Sequence, residues 1–210
     1  MKTQEIRKMI ENAIKEEKQT GRLAEAVRAL ANQNGMKPSA EQVSSIVEFV
    51  RSYIELVPLY IEQGVAAAGR VGLGAEMGRM VGELEVYWLE PNDVIPDNLG
   101  LLGLMDDAYA SLFLLQGVSD YCKASAGRPL LGHDLTAANL AIRQLLGVQV
   151  AALLETRVGI TIGQAMMQRV LTQFAASAPF SFGGGPHPIW GNASIDEIVD
   201  ARLGAMGIVR

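Results

Sequence analysis

A single cysteine, Cys122, stands in a chain of 210 residues. It can close no intramolecular disulfide and build no cysteine zinc cluster, and it points to a reducing compartment. Aromatic residues are also scarce, at 6%, while alanine, leucine, glycine and methionine are plentiful. That balance disfavours a sheet of β-branched and aromatic side chains and favours helices packed through small residues. Basic charge is not in excess: 18 Lys and Arg against 23 Asp and Glu leave a net charge of -5. Counterion release needs a concentrated basic face, so no nucleic-acid partner is expected. Runs of about 18 uncharged apolar residues are missing, which excludes an obvious membrane-spanning helix. The first residues are charged and polar and lack the apolar core of a signal peptide, so the expected location is cytoplasmic.

The motifs of common chemistries are missing too. His133 and His187 are distant in sequence and form no paired-histidine zinc motif. Ser181 lies in no nucleophile elbow, and Gly183–Gly185 opens no phosphate loop followed by a lysine. The run from Gly69 through Gly72 to Gly74 lacks the order of a dinucleotide fingerprint. No cofactor-binding residue follows from the sequence.

What is present is helical periodicity. With 49% hydrophobic and 20% charged residues the chain is long enough to bury a sizeable core. Ile6, Met9, Ile10, Ala13 and Ile14, then Leu23, Ala26, Val27 and Leu30, recur at helical spacing on either side of Gly21, and Gly35 closes this segment. Its lysines and arginines are interleaved with glutamates, the pattern of a solvated face rather than a polybasic tail. Ser39 and Gln42 form a capping box ahead of a stripe of Val43, Ile46, Val47, Val50, Ile54 and Val57, which Pro58 is expected to kink or divide. Residues 107–125 read as a strongly apolar helix ended by Gly127 and Pro129. Asp134 is expected to cap a helix carrying Leu135 to Leu153, and a last long helix is expected from about Thr161 to Ala176, with residues 158–162 open to an extended reading. Met77, Met80, Met105, Met166 and Met167 read by default as adaptable core filling.

Small residues recur every four positions at Gly64, Ala68 and Gly72, and again at Gly74, Gly78 and Gly82. Such spacing lines one helix face and lets a second backbone approach closely. Tight packing within the chain and a seam between copies both fit; the intervening Arg70, Glu76, Arg79 and Glu83 argue against a lipid-facing role. Residues 179–192, rich in Gly and Pro, cannot form a regular helix and read as a long arm carrying Phe180, Phe182, Ile189 and Trp190. Ser194 and Glu197 then cap a short terminal helix. The expected fold is thus all-α: a multi-helix orthogonal or bundle-like domain over residues 1–178, with residues 179–210 docked on it or on a neighbouring subunit.

The most distinctive feature is acidic. Pro91 and Pro96 force the chain to reverse. Asp93 suits an Asx turn, Asp97 a cap for a short helical turn, Asp106 a cap for the long apolar helix, and Asp107 the favourable first turn of that helix. Structural capping is the preferred reading of all four. The functional alternative brings Asp93, Asp97, Asp106 and Asp107 together on a hard divalent cation, magnesium or calcium, although no EF-hand spacing is present.

From Trp88 to Asp107 the chain reads WLEPNDVIPDNLGLLGLMDD. Pro91, Asp93, Ile95, Pro96, Asp97, Gly103, Asp106 and Asp107 together resemble the signature of the YkvA-like domain, a small bacterial helical family of unknown function. The resemblance covers residues 85–122. Family members commonly have a serine before the first proline and another proline in the middle, where this chain has Glu90 and Gly100, so it looks like a divergent member. The resemblance implies a helical hairpin around the turn and supplies no activity.

These features point to a non-enzymatic helical interaction or scaffold protein that self-associates, its partner a protein or a second copy. Two alternatives come from other classes: a metal-dependent enzyme working through the acidic turn, and a peripheral membrane protein using the amphipathic N-terminal helix.

Overall fold

The computed structural model describes the backbone of residues 3–90 and 94–176, and their side chains as far as Arg169. All regular structure in these residues is helical: α1 (Thr3–Thr20), α2 (Arg22–Gln33), α3 (Ala40–Arg70), α4 (Gly74–Trp88), a 3-10 turn (Asp97–Leu99), α5 (Leu104–Ala126), α6 (Thr136–Leu146) and α7 (Val148–Ala176). The expected arm over residues 179–192 and the terminal helix begun by Ser194 lie outside the described residues.

The N-terminal periodicity resolves into two helices because Gly21 takes a left-handed conformation between them, at φ +62°. Such an angle is unstrained only for glycine. The Glu17 carboxylate accepts the N–H groups of Leu23 and Ala24, at 3.0 and 3.3 Å, and so caps α2 from the preceding helix. At the start of α3 the capping box forms as the sequence predicts: Gln42 N–H donates to Ser39 Oγ, and Ser39 N–H to Gln42 Oε1.

Pro58 neither divides nor ends α3, which runs unbroken for 31 residues. The missing N–H and the ring clash cost about 3 kcal/mol in an isolated helix. Here Ile54, Val57 and Ile61 are buried to 1% exposure or less around the proline, and burial of such side chains contributes about 1.5–3 kcal/mol each. Packing therefore outweighs the local penalty.

α5 is the centre of the molecule, packed against α3, α4, α6 and α7. Two glycines set its spacing. A Cβ on Gly64 of α3 would come within 2.8 Å of Leu115, and one on Gly117 of α5 within 3.0 Å of Ile162 in α7. After Gly127, at φ +70°, the chain loops back along α5, whose Ser119 and Gln116 side chains accept the backbone N–H groups of Leu130, Leu131 and Leu135.

The C-terminal half departs from expectation in two ways. Asp134 lies one residue ahead of the cap position, which Leu135 holds, and accepts the Thr136 N–H at 2.8 Å; that helix stops at Leu146 because Gly147, at φ +82° and ψ 153°, breaks it. α7 then begins at Val148 rather than near Thr161 and includes residues 158–162, which are helical and not extended. Ala151, Leu154, Val158 and Ala165 are all buried at helical spacing, so burial of one helix face outweighs the β preference of the local residues.

Candidate functional site

The acidic turn lies where α4 hands over to α5. Pro96 leads into the 3-10 turn Asp97–Leu99, and Gly100 follows at φ +66° and ψ -132°, a conformation reserved for glycine. Gly103 is needed for another reason. A Cβ there would sit 2.6 Å from the Pro96 carbonyl oxygen and 2.8 Å from Asp97 Cα, so the reversal closes only because position 103 has no side chain.

Asp106 closes the turn from inside. Its Oδ2 accepts the Tyr87 hydroxyl at 3.0 Å and the Ile95 N–H at 3.1 Å, tying the end of α4 and the middle of the turn to the first turn of α5. Alongside, Trp88 Nε1–H donates to Ser111 Oγ at 2.9 Å. Arg157 of α7 lies over the outer face of the Tyr87 ring, 4.7 Å from its centroid. From the N-terminal side, Arg22 donates to the Asn98 carbonyl at 2.7 Å and to Glu16 at the same distance.

Each candidate aspartate can now be placed. Asp93 lies outside the described residues. Asp97 is the first residue of the 3-10 turn and is half-buried, and Pro96 rather than Asp97 holds the cap position. Asp106 is not the cap of α5 either. The helix starts at Leu104 behind Gly103, which puts Asp106 and Asp107 together in its first turn, both at 0% exposure. Asp106 thus stabilises the reversal by bridging across the turn rather than by capping α5. Burial at a helix N-terminus suits a carboxylate electrostatically, since the unpaired N–H groups there carry partial positive charge. Among the described residues no group of three or more His, Cys, Asp or Glu side chains is arranged to hold a metal ion.

A second, partly buried polar cluster joins α3, α5, α6 and α7, and nothing in local spacing announces it. Tyr109 donates to Glu155 Oε1 at 2.7 Å, Arg143 Nε–H donates to the same oxygen at 2.7 Å, and Tyr53 donates to Asn139 Oδ1 at 2.6 Å. Burial, then the Glu155 carboxylate, pushes the Tyr109 phenol far above its ordinary range; burial and the nearby Tyr109 do the same for Tyr53. Both phenols keep their protons and serve as donors. This is a set of braces between helices rather than a nucleophile or base.

The small-residue pattern divides in two. Gly64 and Ala68 are buried and serve packing within the chain, and Gly72 makes the α3–α4 turn at φ +72°. Gly78 and Gly82 face solvent on α4 with open space around them. Methionine shows a similar division: Met77, Met80 and Met105 are core, whereas Met167 is 60% exposed, against the expectation of core filling. It belongs to a stripe along α7. Leu153, Ile160 and Met167, seven residues apart, are 57%, 55% and 60% exposed. Arg157 is the one charged residue among the exposed positions of α7 described between Val148 and Gln168.

None of the described helices is long and apolar enough to cross a membrane. Comparison with known proteins returns no match: no family model fits the chain, and no curated protein or solved structure is found similar to it.

Proposed function

We propose that this chain is a helical interaction protein that self-associates through the outer face of α7. The observation that carries the reading is the exposed stripe of Leu153, Ile160 and Met167 on a face whose one charge is Arg157. Apolar residues at every seventh position form one of the two rows of the seam along which one helix packs on another, the second row here being Thr156 or Arg157 and Gly163 or Gln164. The stripe is also self-complementary. An antiparallel, two-fold pairing centred on Ile160 sets Leu153 against Met167 of the other copy and Arg157 against Gly163, so no like charges meet.

Magnitudes set the strength of such a pair. Each of these side chains is already about half covered, so burying the remainder contributes about 1 kcal/mol apiece. Six side chains from two copies contribute about 6 kcal/mol, against an association cost of about 4–15 kcal/mol. That gain exceeds only the lower end of the cost, so the stripe supports at most a weak, concentration-dependent dimer. The resemblance of residues 91–107 to the YkvA-like domain is part of this reading, as a helical hairpin that brings no activity with it.

Sedimentation equilibrium on the full chain, up to about millimolar protein, tests the proposal. The wild type should shift from monomer toward dimer as concentration rises, and Ile160→Asp, which sets two carboxylates together on the axis, should remain monomeric. A wild type that stays monomeric throughout, or an Ile160→Asp chain that dimerises equally well, would overturn it.

A further inference from the structure

The ends of α3 and α5, the loop after α5 and the second half of α7 border an open cavity of about 530 Å³. That volume lies within the range of small-molecule sites, about 300–1,000 Å³. Three guanidiniums from three separate elements line it: Arg70, the last residue of α3; Arg128, just past the Gly127 cap of α5; and Arg169 of α7. Among the described residues no acidic side chain lines it, in a chain where acids outnumber bases. Tyr121 and Ser125 bring hydroxyls, and Ala67, Leu73 and Leu130 supply apolar wall.

The arginines differ in how they are held. Arg169 is fixed: its Nη1–H donates to the Gly72 carbonyl at 2.7 Å, and Glu76 lies 3.7 Å from the same nitrogen. Arg70 and Arg128 are exposed and have no ion-pair partner among the described residues. The C-terminal ends of α3 and α5 also point here, and each brings at most about half a negative charge. Glu76 offsets Arg169, which leaves the full charges of Arg70 and Arg128 to exceed the two helix ends. The cavity therefore keeps an uncompensated positive potential beside an apolar wall.

We infer that this cavity binds a small oxyanion carried on an apolar body, an organic phosphate or carboxylate. The head group lies among Arg70, Arg128 and Arg169, whose planar donors match such oxygens in bidentate fashion, and the body rests on Ala67, Leu73 and Leu130. The site is separate from the α7 stripe, and the inference does not depend on self-association.

Isothermal titration of the full chain at low ionic strength tests it with four probes: phenyl phosphate, phenylacetate, inorganic phosphate and benzyl alcohol. Phenyl phosphate or phenylacetate should bind at least tenfold more tightly than inorganic phosphate and than benzyl alcohol, and whichever of the two binds better identifies the head group. Arg70→Gln combined with Arg128→Gln should weaken that binding at least tenfold at an unchanged melting temperature, because neither side chain has an ion-pair partner among the described residues. No binding of either aromatic anion, binding no tighter than that of inorganic phosphate, or equal affinity in the double variant would each overturn the inference.

Discussion

At the acidic turn, carboxylates that ordinarily face water are fully buried; along α7, apolar side chains that ordinarily lie inside face out. Both regions reverse the usual distribution of polar and apolar groups, and they do so with opposite consequences. A buried carboxylate is costly unless the fold supplies donors, and Asp106 receives them from Tyr87 and Ile95. The buried Asp106 carboxylate is thus held by the structure around it. On α7 the exposed Leu153, Ile160 and Met167 have no comparable compensation within the described residues. An inverted polar group that is satisfied points to architecture, and an inverted apolar group that is uncovered points to contact with something else.

The contrast can be broken by substitution, and the largest effect should come at the turn. Gly103→Ala sets a Cβ against the backbone of Pro96 and Asp97, which cannot yield as a flexible side chain would. A loss of at least about 3 kcal/mol is expected, read as a denaturation midpoint. Asp106→Ala leaves the Tyr87 hydroxyl and the Ile95 N–H buried without this acceptor. It should cost about 2–4 kcal/mol, a drop of about 4–16 °C in Tm for a chain of this size. Asp106→Asn should lower Tm while titration with magnesium or calcium looks the same as for the wild type. A metal affinity that vanished with Asp106 would instead assign the turn to an ion.

Smaller effects sharpen the other side of the comparison. Asp134 accepts the Thr136 N–H, and Thr136, through its side chain and then its backbone, holds the Asp134 carboxyl below its ordinary range while burial partly opposes this. A lowered folded-state value means stability that is present above the unfolded carboxylate range and is lost as pH falls through the folded value. Asp134→Ala should therefore cost about 1 kcal/mol at neutral pH and nothing in strong acid, measured by urea unfolding at several pH values. Ile160→Asp should change stability by less than about 0.5 kcal/mol, because the position is already exposed, yet it should abolish concentration-dependent association. Equal loss of stability at positions 106 and 160 would erase the distinction between the two regions.

Legibility in the sequence follows the range of the interactions involved. Helices whose signals are local were readable: the Ser39 and Gln42 box, the stripe on α3, and the Gly127 stop of α5. Pro58 misled because its local cost is met by side chains from elsewhere in the fold. α7 misled because its β-branched run is local while the buried face of Ala151, Leu154 and Val158 is settled by α4 and α5. At the turn, Asp106 reads as a helix cap, but its bond back to Tyr87 spans 19 residues and needed the hairpin to close. Tyr53 and Asn139 lie 86 residues apart, and no spacing rule connects them. The exposure of Met167 was hidden too, since a methionine in an apolar segment has the same letter on either face of its helix.

Trp88, at 1% exposure and with its indole N–H donated to Ser111, turns the hairpin into an optical reporter. A dry indole held by one fixed acceptor emits at short wavelength and shifts to the red when water reaches it. The other tryptophan is Trp190. In a Trp190→Phe chain all tryptophan emission would originate at Trp88, so the opening of α4 from α5 could be followed by fluorescence alone, separately from any event on α7.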